Sequence, residues 1–312
     1  MSNVLWVDKY QPKSFQEYII EDSIKETLEN YVSNGDIPHL LLEGSFGLGK
    51  TTLAKLLCSK LNAQEFYINA SIDTSIDNIR EKVMDFCSRK SQKNIKIVIF
   101  DEADGLSLVA QDGLKAFIEK YQSSGVRFIF TTNHIEKIGD GIISRCNILK
   151  FEKPELNSLI RRLVDILNQE EIELPKSKKY PDKPNVINIA KIIKDADFDI
   201  RQSIVHLQNC CLTGEFIYKE NEFKLLIKEL INLLTANNNP DITYQQVKQL
   251  LANSNVKNYE RLYSELFEKL DLWVKEGQYC ATTILLNTYS YQSKPSHDKE
   301  LNFMAFISEL LI

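Results

Sequence analysis

The chain has 312 residues, 43% hydrophobic and 26% charged, with a formal net charge of −5. This balance predicts a soluble globular protein of about two or three domains, and its sign excludes indiscriminate polyanion binding while leaving room for a local basic stripe. No apolar run reaches about 18 residues and the opening MSNVLWVDKY lacks a signal-peptide core, so an intracellular protein is expected, neither secreted nor inserted in a membrane. The six cysteines form no C-x-x-C pair and the four histidines are scattered, which leaves zinc binding and a disulfide framework unsupported.

In chain order, the first strong element is the apolar run His39 to Leu42. It leads into GSFGLGKT, Gly44 to Thr51, which fits the pattern G-x-x-x-x-G-K-[ST], and then into a helical pattern starting near Lys50. In this setting the backbone N–H groups of Gly44, Ser45, Phe46, Gly47, Leu48 and Gly49 wrap a triphosphate. Lys50 reaches the outer phosphates, the Thr51 hydroxyl ligates magnesium, and Thr52 continues the cradle into the helix. A glycine turn before an ordinary helix is the bland alternative. It is countered by a second motif, Ile97 to Phe100 followed by Asp101, Glu102, Ala103 and Asp104. Four apolar residues predict a strand buried on both faces, and its acids fall at the carboxyl end, where open α/β sheets place ligands. Asp101 is expected to hold magnesium, directly or through water, and Glu102 to orient and polarise the attacking water. The next strand, Phe128 to Phe130, closes in Thr131, Thr132 and Asn133. The Asn133 amide is placed to fix the water between Glu102 and the terminal phosphate, although a lone strand-end Asn is more often a turn residue.

With Phe66 to Ile68 and Ile148 to Phe151, these strands alternate with helical stretches from Trp6 to about Glu152, predicting a parallel sheet with crossover helices. Beyond Pro154 the strand signals stop, and Leu156, Leu159, Ile160, Leu163, Val164 and Leu167 recur at helical spacing. This helical block runs to about Thr213, with a loop marked by Pro175, Pro181 and Pro184. From Gly214 the chain is expected to be all-helical. Tyr259, Leu262, Tyr263, Leu266, Phe267, Leu270 and Trp273 make one apolar stripe, fit for a core or for neighbouring subunits. Ser290 to Lys299 reads as a polar loop before a last helix, Leu301 to Ile312.

Taken together, these residues resemble the small subunits of clamp loaders in the AAA+ class, similar to eukaryotic and archaeal replication factor C and to phage clamp loaders. The likeness rests on WVDKYQPKSFQEYI, PHLLLEG, GSFGLGKT, FYINAS, IVIFDEAD, IEKYQSSGVRFIFTTN and SRC at Ser144 to Cys146. DADFDIRQSI resembles the second-sensor helix, and the last hundred or so residues match in helical character alone. The resemblance implies an α/β P-loop AAA+ nucleotide-binding domain (residues 1–152), a helical lid domain (153–213) and an all-α collar domain (214–312) for oligomerisation. ATP and magnesium are the implied cofactors. By the same resemblance, Arg145 is an arginine finger for ATP on the adjacent subunit, Arg201 reports the terminal phosphate to the lid, and Val7, Tyr10 and Pro12 pack beside adenine. Trp6 and Tyr10 fit a core equally well, and Arg145 standing alone fits a surface salt bridge.

The implied partners are other clamp-loader subunits in a pentamer, a sliding clamp, primer-template DNA and, indirectly, a DNA polymerase, with no membrane. The compartment is the cytoplasm for a phage or prokaryotic source and the nucleus for a eukaryotic one. Arg80 and Lys115 match positions that track template phosphates, each near the N-terminal half of a helix, whereas Thr74 stands where the family often has an arginine. On the helix starting near Ile76, the residues Ile76, Ile79, Val83 and Phe86 keep core spacing, and Met84 lies off that stripe as a candidate clamp contact. Two other classes share the nucleotide motifs: a different AAA+ motor, such as a Holliday-junction helicase, and a non-catalytic scaffold subunit.

Overall fold

The computed structural model describes residues 5–72, 76–90, 93, 95–121, 124–176, 186–218, 222–236, 239–254, 256 and 258–311. Thr74, Pro181 and Pro184 lie outside the described residues. The chain divides into two compact units, Met1–Tyr218 and Lys219–Ile312.

The first unit is built on a five-stranded parallel sheet of order β2-β3-β4-β1-β5. Its strands are β1 (Leu40–Gly44), β2 (Gln64–Asn69), β3 (Lys96–Asp101), β4 (Val126–Thr132) and β5 (Asn147–Phe151). Burial follows position in the sheet. β3 is buried at every residue and β4 at all but one, because helices cover both faces, while the edge strands β2 and β5 leave alternate residues open.

Strand parity sorts the apolar residues into two cores. Leu41, Val98, Phe100, Phe128 and Phe130 face Ile79, Val83 and Phe86 of α4 (Ile76–Ser88) and Leu114 and Phe117 of α5 (Leu108–Tyr121). Leu40, Leu42, Ile97, Ile99 and Ile129 face Leu28 of α2 (Asp22–Asn34) and Leu53 and Leu57 of α3 (Lys50–Lys60). Met84 is 42% exposed, off the buried stripe as its spacing predicts. One buried polar group ties the sheet to a helix and another joins neighbouring strands. Lys96 donates to the carbonyls of Phe86 (2.9 Å), Cys87 (3.0 Å) and Arg89, closing the C-terminus of α4. His39 Nδ1 accepts from Phe128 N at 3.1 Å, so the ring is neutral, and burial pushes its pKa down to about 4.

The one-turn helix α1 (Trp6–Lys9) does not join the sheet cores. Trp6 and Tyr10 are buried against α7 (Leu156–Gln169), α8 (Ile187–Asp195) and α9 (Ile200–Cys210), beside Leu163, Ile193 and Leu207. Both aromatic residues therefore serve as core. Trp6 N also donates to Gln208 Oε1 at 3.0 Å and the Tyr10 hydroxyl to Glu170 Oε1 at 2.7 Å, so the opening segment is tied to the helical group at two points.

The second unit packs α10 (Glu222–Thr235), α11 (Pro240–Ser254), α12 (Tyr259–Glu268), α13 (Tyr279–Ser293) and α14 (Lys299–Leu311) around Leu230, Leu262, Phe303 and Phe306. Of the expected stripe, Tyr259, Leu262, Tyr263 and Leu266 are buried on α12 and Phe267 is 54% exposed, while Trp273 is buried beyond the end of that helix. The loop expected from Ser290 starts later. Residues 290–293 complete α13, whose last turns are anchored by buried Leu286 and by the Tyr289 ring against Phe306.

Candidate nucleotide-binding site

At the carboxyl end of the sheet a cavity of about 670 Å³ is lined by the loop after β1, the ends of β3 and β4, the Val7–Pro12 segment and the start of α9. The strand order explains this convergence. β4 lies between β1 and β3, so Asn133 after β4 has the glycine loop on one side and the acids on the other.

Two glycines of the loop are required by close approach. Gly47 has φ +71°, and a Cβ there would collide with the carboxylate of Asp199. Gly49 has φ +89°, and a Cβ would lie 2.6 Å from the hydroxyl of Tyr18, which donates to the Gly49 carbonyl. From Lys50 the chain turns into α3, whose first N–H groups and positive dipole end face the cavity.

The Lys50 ammonium donates to Gly44 O (2.6 Å), Ser45 O (2.7 Å) and Asn133 Oδ1 (2.8 Å). Burial lowers its pKa to about 8, against the pull of Asp101, Asp104, Asp199 and Glu102. Asp101 is buried and saturated with hydroxyl donors. Thr51 Oγ1 at 2.6 Å and Thr131 Oγ1 at 2.7 Å bond its Oδ1, and Tyr67 OH at 2.7 Å bonds its Oδ2. Glu102 follows with φ 56° and ψ 48°, a left-handed conformation uncommon for a side-chain-bearing residue, and its N–H donates to Thr131 Oγ1 at 3.0 Å. This turn sends Asp101 into the hydroxyl cluster while Glu102 lines the cavity. Asp104 Oδ1 accepts from Thr132 Oγ1 at 3.2 Å and steadies the end of β4.

The cavity brings together Val7, Tyr10, Pro12, Phe46, Gly47, Leu48, Gly49, Lys50, Thr51, Thr52, Asp101, Glu102, Asn133 and Arg201. Gly44 and Ser45 enter through their carbonyls on Lys50. Arg201 stands in the first turn of α9, whose N-cap Asp199 accepts from Gln202 N at 2.8 Å. Arg145 does not line the cavity. Its guanidinium pairs with Glu119 of α5 and donates to Gly141 O (2.9 Å) and Ser144 Oγ (3.1 Å) in α6 (Asp140–Ile143) and just after it.

Arg80 of α4 lies against α5, where a Cβ at Gly113 would meet its Nη2 at 2.5 Å. Lys115 pairs with Asp112 at 3.0 Å and lays its stem over Gly141. Arg80 is in the first half of its helix. Lys115 is the eighth of the 14 residues of α5, at the border of its N-terminal half, and like Arg80 it stands past the first turn, in which the dipole acts.

Tyr18, Tyr67, Thr131, Asp199 and Arg162 also line the cavity, although the sequence assigned none of them a role there. Arg162 Nη2 donates to Tyr10 O at 2.8 Å and so fixes the Val7–Pro12 wall. Four of the five fall inside the quoted motifs: Tyr18 in WVDKYQPKSFQEYI, Tyr67 in FYINAS, Thr131 in IEKYQSSGVRFIFTTN and Asp199 in DADFDIRQSI, whereas Arg162 lies in none.

The family described as "ATPase family associated with various cellular activities (AAA)" matches residues 40–153. A replication factor C small subunit of Methanococcus maripaludis is 32% identical over 280 residues, covering 88% of this chain and 81% of that protein. That of Picrophilus torridus is 34% identical over 245 residues, covering 73% and 74%. Among solved structures, a point mutant of Thermotoga maritima RuvB superposes with a TM-score of 0.56 at 16% identity, covering 95% of this chain and 91% of that one. The Thermotoga maritima RuvB Holliday junction branch migration motor gives 0.54 at 18%, covering 79% and 86%. At such identity the RuvB likeness concerns the fold, whereas the curated relatives match over most of both chains. With its AAA+ sheet, its glycine loop and these relatives, the chain belongs to the replication factor C small subunit family.

Proposed function

We infer that this chain is an ATPase subunit of a clamp loader, which uses ATP binding and hydrolysis to open a sliding clamp and place it on primer-template DNA. The observation that carries this reading is a divided constellation. Lys50, Thr51, Asp101, Glu102 and Asn133 converge on one cavity, while Arg145 of the SRC motif stands outside it on the same unit. Such a layout fits sites completed between protomers, one holding the nucleotide and the next delivering the guanidinium.

The cavity suits ATP with magnesium. Thr51 Oγ1 and Asp101 Oδ1 are hard oxygen donors side by side, with space beyond them for phosphate oxygens. Thr51 and Asp101 would hold the magnesium, which would supply positive charge against that developing on the transferred phosphoryl group. The chain's own residues do the rest. Lys50 exchanges its loop carbonyls for the outer phosphates, Glu102 accepts from and orients the attacking water, and the Asn133 amide holds that water in line. Arg201 reads the terminal phosphate from the lid, and Val7, Tyr10 and Pro12 border adenine. In this assignment the nucleotide-binding domain spans residues 1–152, the lid 153–213 and the collar 214–312. The collar assembles the subunits into a pentamer, and Arg80 and Lys115 track DNA phosphates.

The test is ATP turnover of the assembled complex in the presence of DNA and clamp. Glu102→Gln is expected to abolish this chain's turnover with nucleotide binding intact. Arg145→Ala is expected to lower turnover by about 10³-fold or more, without changing nucleotide affinity of the lone chain. A lone chain that hydrolyses ATP at the full rate, indifferent to Arg145→Ala, refutes the divided site. A strand-displacement assay separates a clamp loader from a translocating motor.

A further inference from the structure

Asp101 is gripped from two directions. Its Oδ1 takes the hydroxyls of Thr51, at the start of α3, and Thr131, near the end of β4, and its Oδ2 takes the hydroxyl of Tyr67 on β2. The register of the edge strand makes that contact. β2 pairs with β3 so that Tyr67 lies opposite Ile99 and Asn69 opposite Asp101, and parity sends Tyr67 and Asp101 to the face covered by α3. Lys55 of α3 sets its ammonium 4.9 Å from the centre of the Tyr67 ring. The ring is thus fixed between helix and carboxylate even though Tyr67 is 40% exposed.

We propose that Tyr67 is a positioning residue of the metal–nucleotide site, its hydroxyl locking Asp101 Oδ2 so that Oδ1 stays aimed at Thr51 and the oxygen pair is ready for magnesium. The proposal rests on the reading of the cavity as a magnesium–nucleotide site and deepens it. A carboxylate turns about a broad terminal torsion, and donors on both oxygens remove that freedom. A phenol does this without neutralising the charge, since it adds one donor and no cation, so the full negative charge remains for the metal. Partners of this kind, one step removed from the ion, change metal affinity by about 10- to 100-fold when lost.

The test is a magnesium titration of the full chain with a fluorescent ATP analogue, comparing wild type with Tyr67→Phe. The substitution keeps the ring and its contact with Lys55 and removes one hydroxyl. Half-saturating magnesium is expected to rise about tenfold or more. Analogue binding in EDTA and the thermal midpoint are expected to stay at wild-type values. An unchanged half-saturation overturns the proposal. So does an equal loss of affinity with and without magnesium, which marks a packing role. A wild-type chain whose analogue binding ignores magnesium instead refutes the reading of the cavity, and the proposal falls with it.

Discussion

Lys50 carries a lowered pKa for a reason that makes its chemistry testable. Loss of water from the ammonium outweighs the pull of the surrounding carboxylates, leaving a pKa of about 8 in the chain alone. A polyphosphate adds negative charge and favours the protonated form, so binding takes up a proton whenever Lys50 has lost one. Nucleotide affinity is therefore expected to be level below pH 8 and to fall above it, by up to about tenfold per pH unit. Titration of a fluorescent nucleotide across pH 7 to 9.5 reads this directly. Lys50→Met should weaken binding by more than about tenfold and flatten the profile. His39 bears on stability instead of binding. Its folded pKa, about 4, lies below the unfolded value of 6.5, so the unfolded chain binds more protons between the two. Its contribution to stability, up to about 3 kcal/mol, is complete above pH 6.5 and is lost as pH falls towards 4. Thermal melts from pH 7.5 to 4 check this, and the decline should be shallower in His39→Gln.

At the scale of elements, the strands were legible because the fold buries the inner three so thoroughly that apolar runs had no other use. Ile97 to Phe100 is the clearest instance. The loop and the acids announced themselves through residue types that only phosphate and metal chemistry needs in that order. What stayed hidden depended on long-range register. Nothing local to Tyr67 says that β2 pairs with β3, and nothing local to Asp199 says that its carboxylate will rest on Gly47. The end of α13 lies beyond the polarity change at Ser290 because polar residues continue a helix whose apolar side, Leu286 and Tyr289, is already packed.

The turn before α9 offers an element-scale prediction. Asp197 and Phe198 have φ 50° and 63°, two consecutive left-handed residues that aim the Asp199 cap and Arg201 at the cavity. Asp197→Val should destabilise the first unit by about 1–2 kcal/mol in denaturant unfolding, since a β-branched residue resists that conformation. Asp197→Asn should stay within about 0.5 kcal/mol, because asparagine tolerates the left-handed region and the exposed pair with Lys153 contributes little.

At the scale of the whole molecule, the second unit owns a complete core of its own, with Tyr263, Phe303 and Phe306 in mutual ring contact. A fragment spanning residues 219–312 is expected to melt cooperatively with a helical circular dichroism spectrum, and the intact chain to unfold in two steps. A non-cooperative fragment refutes this independence. The pairing of Arg145 with Glu119 bears on how protomers would join. In the lone chain the guanidinium already has an anion, and the pair is exposed enough to be worth little, about 1 kcal/mol or less. Under the proposed function, handing Arg145 to a neighbour's phosphates would be a swap of counterions rather than the making of a new attraction. Dissolved ions screen the carboxylate left behind and the phosphate taken up alike, so ionic strength should tune this step far more gently than it would tune the DNA contacts proposed for Arg80 and Lys115.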